Sequence, residues 1–140
     1  MTTTLRAATG RDLVTGELFG RLVRRVAEDN DLSEELAARV VDQALVFLAT
    51  HAQHGDLQPS AMVDLGWHAF LLHTREYTAF CDRVAGRFLH HEPDDAPRQG
   101  LGSTVAALSA AGYEVDRELW SHPANCGEAF CGAGRPPGSP

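Results

Sequence analysis

Apolar residues recur at helical spacing along most of this chain, and almost no segment alternates apolar with polar residues. The first such stripe begins near Thr15 and places Leu18, Leu22 and Val26 four residues apart, which is the spacing of one helix face. Isoleucine is absent, so valine is the sole aliphatic β-branched residue, and strands are normally enriched in such residues. The pattern predicts an all-α fold.

Local signals indicate where the helices begin and end. Ser33, followed by two glutamates, is typical of a helix start, because its hydroxyl can accept a free amide hydrogen and the acids complement the helix dipole. Ser60 and Thr74 are expected to cap helices in the same way, and Gly86 and Gly112 to end them. We predict a small bundle of four to five helices: from about residue 15, over 33–51, 61–72, 75–84 and 103–111, with a turn over 116–120.

The two ends of the chain differ from this helical region in composition. Residues 1–14 show no period and are expected to form a flexible lead-in, which leaves residues 15–120 as a single helical domain. Residues 121–140 hold four of the seven prolines and four of the thirteen glycines, with few aliphatic residues. Such a segment buries too little apolar surface to order itself, so we expect a flexible tail rich in Cys, Gly and Pro.

Composition excludes several classes of function. All 12 basic residues are arginine, so no lysine can form a Schiff base with pyridoxal phosphate or hold a nucleotide in a phosphate loop. A net charge of -7 without a basic stripe argues against nucleic acid as a partner. The longest apolar run, Ala44–Ala49, is far shorter than the ~20 residues that span a bilayer. We therefore predict a cytoplasmic protein that does not bind membranes.

Histidines and one aspartate suggest a candidate site in the second half of the chain. Asp64 and His68 are four residues apart, so on a helix they share one face with their Cβ atoms ~6 Å apart. His73 lies about 140° around an ideal helix from His68 and can join the pair only if the helix breaks between them. His90 and His91 follow a glycine that permits the chain to fold back, but only one of two adjacent side chains points inward in an extended segment.

Two interpretations of these residues remain open. The first is a mononuclear metal site made of His68, His90 or His91, and Asp64 or His73, with an open position for water or substrate. Two histidines and one carboxylate suit zinc or iron(II). In the second interpretation, Asp64 and His68 form a buried hydrogen-bonded pair that joins two helices, and the later histidines lie at the surface. No H-E-x-x-H or C-x-x-C pattern decides between the two.

Residues around the candidate site have simpler explanations. Trp67 and Tyr77 are expected to be core aromatics, each with one satisfied polar atom. Cys81 lies on the apolar side of its short helix and is expected to be a small buried hydrophobe. His51 and His54, at the end of a helix, are expected to be solvated and to complement the negative end of its dipole.

One stretch of the chain resembles the conserved unit of the glycine-rich domain-containing protein family. The resemblance covers about residues 60–92 and rests on Asp64-x-x-Trp67-His68, Leu72, Tyr77, Cys81, Gly86 and a histidine at 90 or 91. The chain also looks like a group of short actinobacterial proteins with the same His-His-x-Pro ending, and a lysine- and isoleucine-free composition is typical of a GC-rich genome.

What the resemblance implies is a linked set of residues and no particular activity. The set is Asp64, Trp67, His68, Tyr77 and a C-terminal histidine. The family pattern has a second histidine two residues after the Trp-His pair, and this chain has Phe70 there. If that histidine is a ligand in the relatives, the site is altered here or a nearby histidine replaces it.

The C-terminal tail suggests a different function. Cys126 and Cys131 are five residues apart in a segment expected to be exposed, where thiols can bind a soft metal, form a redox disulfide or be modified. Two hypotheses follow. The protein is a small metalloprotein or metalloenzyme whose His/Asp cluster holds zinc or iron(II), or it is a non-catalytic adaptor, carrier or peptide precursor that works through this tail. The partner, a small molecule or a protein, is not identified by the sequence.

Overall fold

The computed structural model describes residues 7–91 and 100–122, and within these ranges the chain is helical and contains no named strand. The all-α prediction is confirmed. The five helices are α1 (Gly16–Asn30), α2 (Glu34–His54), α3 (Ala61–Leu72), α4 (Thr74–Ala85) and α5 (Leu101–Ala110). Two short 3-10 turns, Gly10–Leu13 and Arg117–Trp120, precede and follow them.

The serine caps lie where the sequence predicts them. The hydroxyl of Ser33 accepts the amide hydrogen of Leu36 at the start of α2, and that of Ser60 accepts the amide hydrogen of Val63 at the start of α3. Gly86 ends α4 in the left-handed conformation, with φ of 69°, which glycine adopts without the steric cost that a Cβ brings. Local chemistry therefore determines these three helix boundaries.

Several boundary expectations differ from the structure, and α2 continues three residues past its predicted end, to His54. Thr74 is the first residue of α4, and His73 occupies the cap position between α3 and α4. The last helix begins at Leu101, two residues before its predicted start. Asp116 precedes the final turn without capping it through its side chain, because its carboxylate is paired with the Arg39 guanidinium at 2.7 Å.

Helix α2 lies at the centre of the molecule, and α1, α3, α4 and α5 all pack against it. Its side chains are buried on most of its faces, as expected for a helix surrounded by others. The approach of α3 is close at Gly66, where an added Cβ would lie 2.7 Å from the Cβ of Ala44. This close packing positions the middle of α3, the helix that carries the candidate site.

The residues before α1 contact the bundle from Ala8 onward, which differs from the flexible lead-in expected for residues 1–14. Ala8 pairs with Tyr113 in an isolated parallel bridge. Gly10 is buried against α2, where an added Cβ would lie 2.1 Å from the carbonyl oxygen of Asp42. The segment is held by a close approach to α2 that only glycine, without a Cβ, can make. The spacing of apolar residues does not predict such a contact.

The 3-10 turn after α5 is attached to α2 by buried polar contacts. The side-chain oxygen of Gln43 accepts hydrogen bonds from the Trp120 indole at 2.8 Å and from the Asp116 amide at 3.0 Å. Cys126 and Cys131 lie outside the described residues. Within the described ranges, no helix combines the length and apolar character that crossing a bilayer requires.

Candidate metal centre

The first two members of the candidate site lie one turn apart on α3. Asp64 and His68 share a helix face, and Oδ2 of the aspartate lies 3.2 Å from Nε2 of the histidine. The Asp64 side chain is only 4% exposed, whereas the His68 side chain is 48% exposed. The sequence prediction that these two residues face each other is confirmed.

The third member arrives from the segment that follows α4. After Gly86 the chain turns back toward α3, so that Leu89 is buried, His90 is exposed and His91 is directed at the pair on α3. Nε2 of His91 lies 2.7 Å from Oδ1 of Asp64 and 3.0 Å from Nε2 of His68. Of the two adjacent histidines, His91 is therefore the one that joins the site.

The facing atoms of the three side chains are close enough together to reach one bound ion. Two atoms that each lie about 2.1 Å from an ion, at 90–110° to each other, are about 3.0–3.4 Å apart. The two Nε2 atoms are 3.0 Å apart, and each faces a different oxygen of Asp64: His91 lies 2.7 Å from Oδ1 and His68 lies 3.2 Å from Oδ2. Among the described residues, this is the one group of three histidine, cysteine or acidic side chains close enough to hold a metal.

The group is closed on the protein side and open on the other. The aspartate is buried, the His91 side chain is 21% exposed, and His68 is half exposed. Three protein ligands with one accessible side are the arrangement found where a metal keeps positions for water or substrate. A structural site would close the coordination shell with a fourth protein ligand.

Two aromatic residues support the group from behind. The Trp67 ring lies against the His91 ring, with centroids 4.3 Å apart, and its Nε1–H donates to the Tyr77 hydroxyl at 2.9 Å. Tyr77 in turn donates to the Leu89 carbonyl oxygen. Burial raises the pKa of Tyr77 above its usual value, so the hydroxyl keeps the proton that this hydrogen bond needs. Both residues are the satisfied core aromatics that the sequence predicts.

Two predicted ligands lie elsewhere. His73 connects α3 to α4, and its Nδ1 is 3.0 Å from the carbonyl oxygen of Ala69. His90 is exposed and its ring contacts the ring of Phe88, with centroids 4.7 Å apart. Neither belongs to the group of ligand atoms at the centre. The break after α3 therefore directs His73 toward its own helix end.

The expectations for three further residues have different outcomes. Cys81 is buried, as predicted, at 1% exposure. His51 is not the solvated residue expected at a helix end: it is half-buried, stacked on Phe47 with ring centroids 5.3 Å apart and in contact with Trp67. His54 is exposed, as expected. The Phe47 contact is local, since residues four apart share a helix face, whereas the Trp67 contact depends on how α3 packs on α2.

Comparison with protein families gives a match, whereas comparison with individual proteins does not. No curated protein and no solved structure matches the chain. The model of the UCP032817-like family, a family of unknown function, matches residues 14–107. The match spans α1 to α4 and most of α5, and it includes Asp64, His68 and His91. Because the family model matches more than half of its residues, the chain belongs to the UCP032817-like family.

Proposed function

We propose that this chain binds one divalent ion, zinc or iron(II), through Asp64, His68 and His91, and that it acts as a small metalloenzyme with water or substrate at the open side of the ion. The observation that carries the proposal is the convergence of the three side chains, whose facing nitrogen and oxygen atoms lie 2.7 to 3.2 Å apart. Two imidazoles and one carboxylate suit zinc, and they also match the donor set of non-haem iron(II) proteins.

Hydrogen bonding alone describes this arrangement poorly. Nε2 of His91 lies within 3.0 Å of both an Asp64 oxygen and Nε2 of His68, and Nε2 of His68 is itself 3.2 Å from the other Asp64 oxygen. If both nitrogens carry hydrogens for the carboxylate, two N–H groups are crowded together. If one carries none, it faces the carboxylate as a second acceptor. A cation that accepts one lone pair from each of the three side chains would remove both conflicts.

The half-exposed side of the centre determines the chemistry we propose. A metal held there would supply Lewis-acid chemistry to a substrate oxygen or to a water molecule on that side. Asp64 is buried and contacts both histidines, so its role is to hold the imidazoles in place and contribute negative charge to the ion. His68, the most exposed ligand, borders the side from which a substrate approaches.

Metal titration of single-site variants tests the proposal. We expect untagged protein to bind one equivalent of zinc, or of iron(II) without oxygen, and His68→Ala and His91→Ala to lose that binding. His90→Ala is the matched control, because it removes the adjacent imidazole, which is exposed and points away from the group. Equal binding by His91→Ala and His90→Ala, or no binding by the unmodified chain, would contradict the proposal.

Cobalt(II) substitution tests the open side separately. We expect visible absorption bands from cobalt(II) at the site and a change in those bands when azide is added, because azide can occupy a free coordination position. Bands of a closed tetrahedral centre that azide leaves unchanged would remove the enzymatic part of the proposal and leave a structural metal site.

A further inference from the structure

Both backbone polar atoms of one residue next to the candidate centre, Leu89, are held by side chains of α4. The carbonyl oxygen of Leu89 accepts the hydroxyl hydrogen of Tyr77, and the amide hydrogen of Leu89 is donated to Sγ of Cys81 at 3.4 Å. Tyr77 and Cys81 are four residues apart and therefore lie on one face of α4. We call this arrangement of Tyr77, Cys81 and Leu89 the Leu89 clamp.

The Leu89 clamp acts on a residue two positions before His91. In extended chain, residues two apart point to the same side, so fixing the direction of residue 89 also fixes that of residue 91. The burial pattern agrees: Leu89 is 3% exposed, His90 is exposed, and His91 points to the centre. The segment has no helix or strand of its own to hold it in place.

The same tyrosine also connects the clamp to α3. Its hydroxyl accepts the indole hydrogen of Trp67 at 2.9 Å, and the Trp67 ring lies against the His91 ring. One hydroxyl thus joins the helix that carries Asp64 and His68 to the segment that carries His91. These contacts determine where Nε2 of His91 lies without any of their atoms contacting an ion.

We infer that Tyr77 is a positioning residue for His91, acting through the Leu89 clamp with Cys81 as its second half. The effect on metal binding rests on the proposed function, whereas the effect on the His91 ring does not. Groups that orient ligands from outside the coordination shell typically change metal affinity by ~10- to 100-fold. The clamp gives Tyr77 and Cys81 a role beyond filling the core.

The test compares Tyr77→Phe with the unmodified protein by two measurements. The variant keeps the ring that packs edge-on against Phe70 and loses the hydroxyl alone. In metal-free protein, we expect the His91 ring proton resonances to move toward those of an unstructured histidine, because the ring leaves the shielding face of Trp67. In zinc titration, we expect affinity to fall by ~10- to 100-fold.

Thr104→Val is a matched control for lost stability. Thr104 lies near the start of α5, and its hydroxyl holds both backbone polar atoms of Gln58. It donates to the Gln58 carbonyl oxygen at 2.9 Å and accepts the Gln58 amide hydrogen at 3.2 Å. Thr104→Val therefore removes a buried hydroxyl that bonds to backbone, as Tyr77→Phe does, but at a position away from the candidate centre. We expect Thr104→Val to leave the His91 resonances and the zinc affinity unchanged.

The outcomes separate the inference from the proposed function. If His91 resonances in Tyr77→Phe stay at their original positions, the inference is overturned whether or not the protein binds metal. If the unmodified protein binds no metal, the proposed function fails and the His91 resonances still decide the inference. Should Tyr77→Phe not fold, Cys81→Ala removes the other half of the clamp and is expected to shift the same resonances in the same direction. If the His91 resonances of Cys81→Ala are unshifted, the inference is likewise overturned.

Discussion

Asp64 is a carboxylate placed almost entirely out of water. Its side chain is 4% exposed, and an ionised group so buried costs several kcal/mol unless opposite charge lies nearby. Both histidines lie within hydrogen-bond distance of this carboxylate, and under the proposed function a divalent ion would add both positive charge and direct bonds.

The substitution Asp64→Asn distinguishes these two roles, because it keeps the shape of the side chain and removes its charge. We expect zinc affinity to fall by more than about 100-fold, beyond the usual effect of losing an outer partner. We also expect the metal-free variant to unfold in urea at the same or a higher concentration, since an uncompensated buried charge is gone. A loss of about 1–3 kcal/mol in the free energy of unfolding, with no change in metal content, would indicate a purely structural aspartate.

At the residue scale, sequence could predict part of the site. The spacing of Asp64 and His68 is local to one helix, so the pair was predictable from periodicity. The choice of His91 over His90 depends on the direction in which the chain leaves Gly86. The exclusion of His73 depends on one backbone conformation, with φ of -96° and ψ of 71°, that directs its ring to Ala69. Neither is visible in residue spacing.

Among the elements, α3 matters most because it carries two ligands and the indole that supports the third. Its position is set by close contact with α2 at Gly66. The first helix offers a contrast: Gly20 lies in the middle of α1 with no atom within 4 Å of an added Cβ.

We expect Gly66→Ala to lower the free energy of unfolding by about 1–3 kcal/mol, because its Cβ would meet Ala44 at 2.7 Å and force α2 and α3 apart. Gly20→Ala should raise it by about 0.5–1 kcal/mol through better helix propensity. Urea unfolding of both variants measures the two effects. Similar stability changes in the two would mean that α3 does not approach α2 this closely.

The turn after α4 supplies a second prediction at this scale. With φ of 69°, Gly86 occupies backbone space that an alanine enters at a cost of about 1–2 kcal/mol. We expect Gly86→Ala to lose this amount of stability in urea unfolding, and Gly86→Asn to lose less, since asparagine tolerates the left-handed region. Equal losses in the two variants would argue against a left-handed turn at this position.

At the scale of the whole molecule, the described residues form one continuous apolar core that reaches from α1 to the 3-10 turn at Arg117–Trp120. Helical periodicity was enough to predict this all-α bundle. The packing of residues 7–14 and the attachment of Trp120 to Gln43 were not predictable, because both rest on contacts between distant parts of the chain. The resemblance to glycine-rich domain-containing proteins and the actinobacterial source remain predictions.

Truncation tests whether the protein needs its C-terminal segment. We expect removal of residues 123–140 to shift the thermal midpoint by no more than a few degrees and to leave one metal site, because the core and the three ligands all precede the cut. Differential scanning calorimetry and metal analysis provide the two readouts. Loss of bound metal on truncation would indicate that Cys126 and Cys131 bind the metal, and it would support the carrier hypothesis.

The most direct test of the metal centre is anomalous X-ray diffraction from crystals grown with zinc, recorded on both sides of the zinc absorption edge. We predict one anomalous peak per chain within bonding distance, ~2.0–2.2 Å, of an Asp64 oxygen and of Nε2 of His68 and His91. Crystals of the fully loaded protein with no peak among these three side chains, or with the peak at other residues, would contradict the proposed centre.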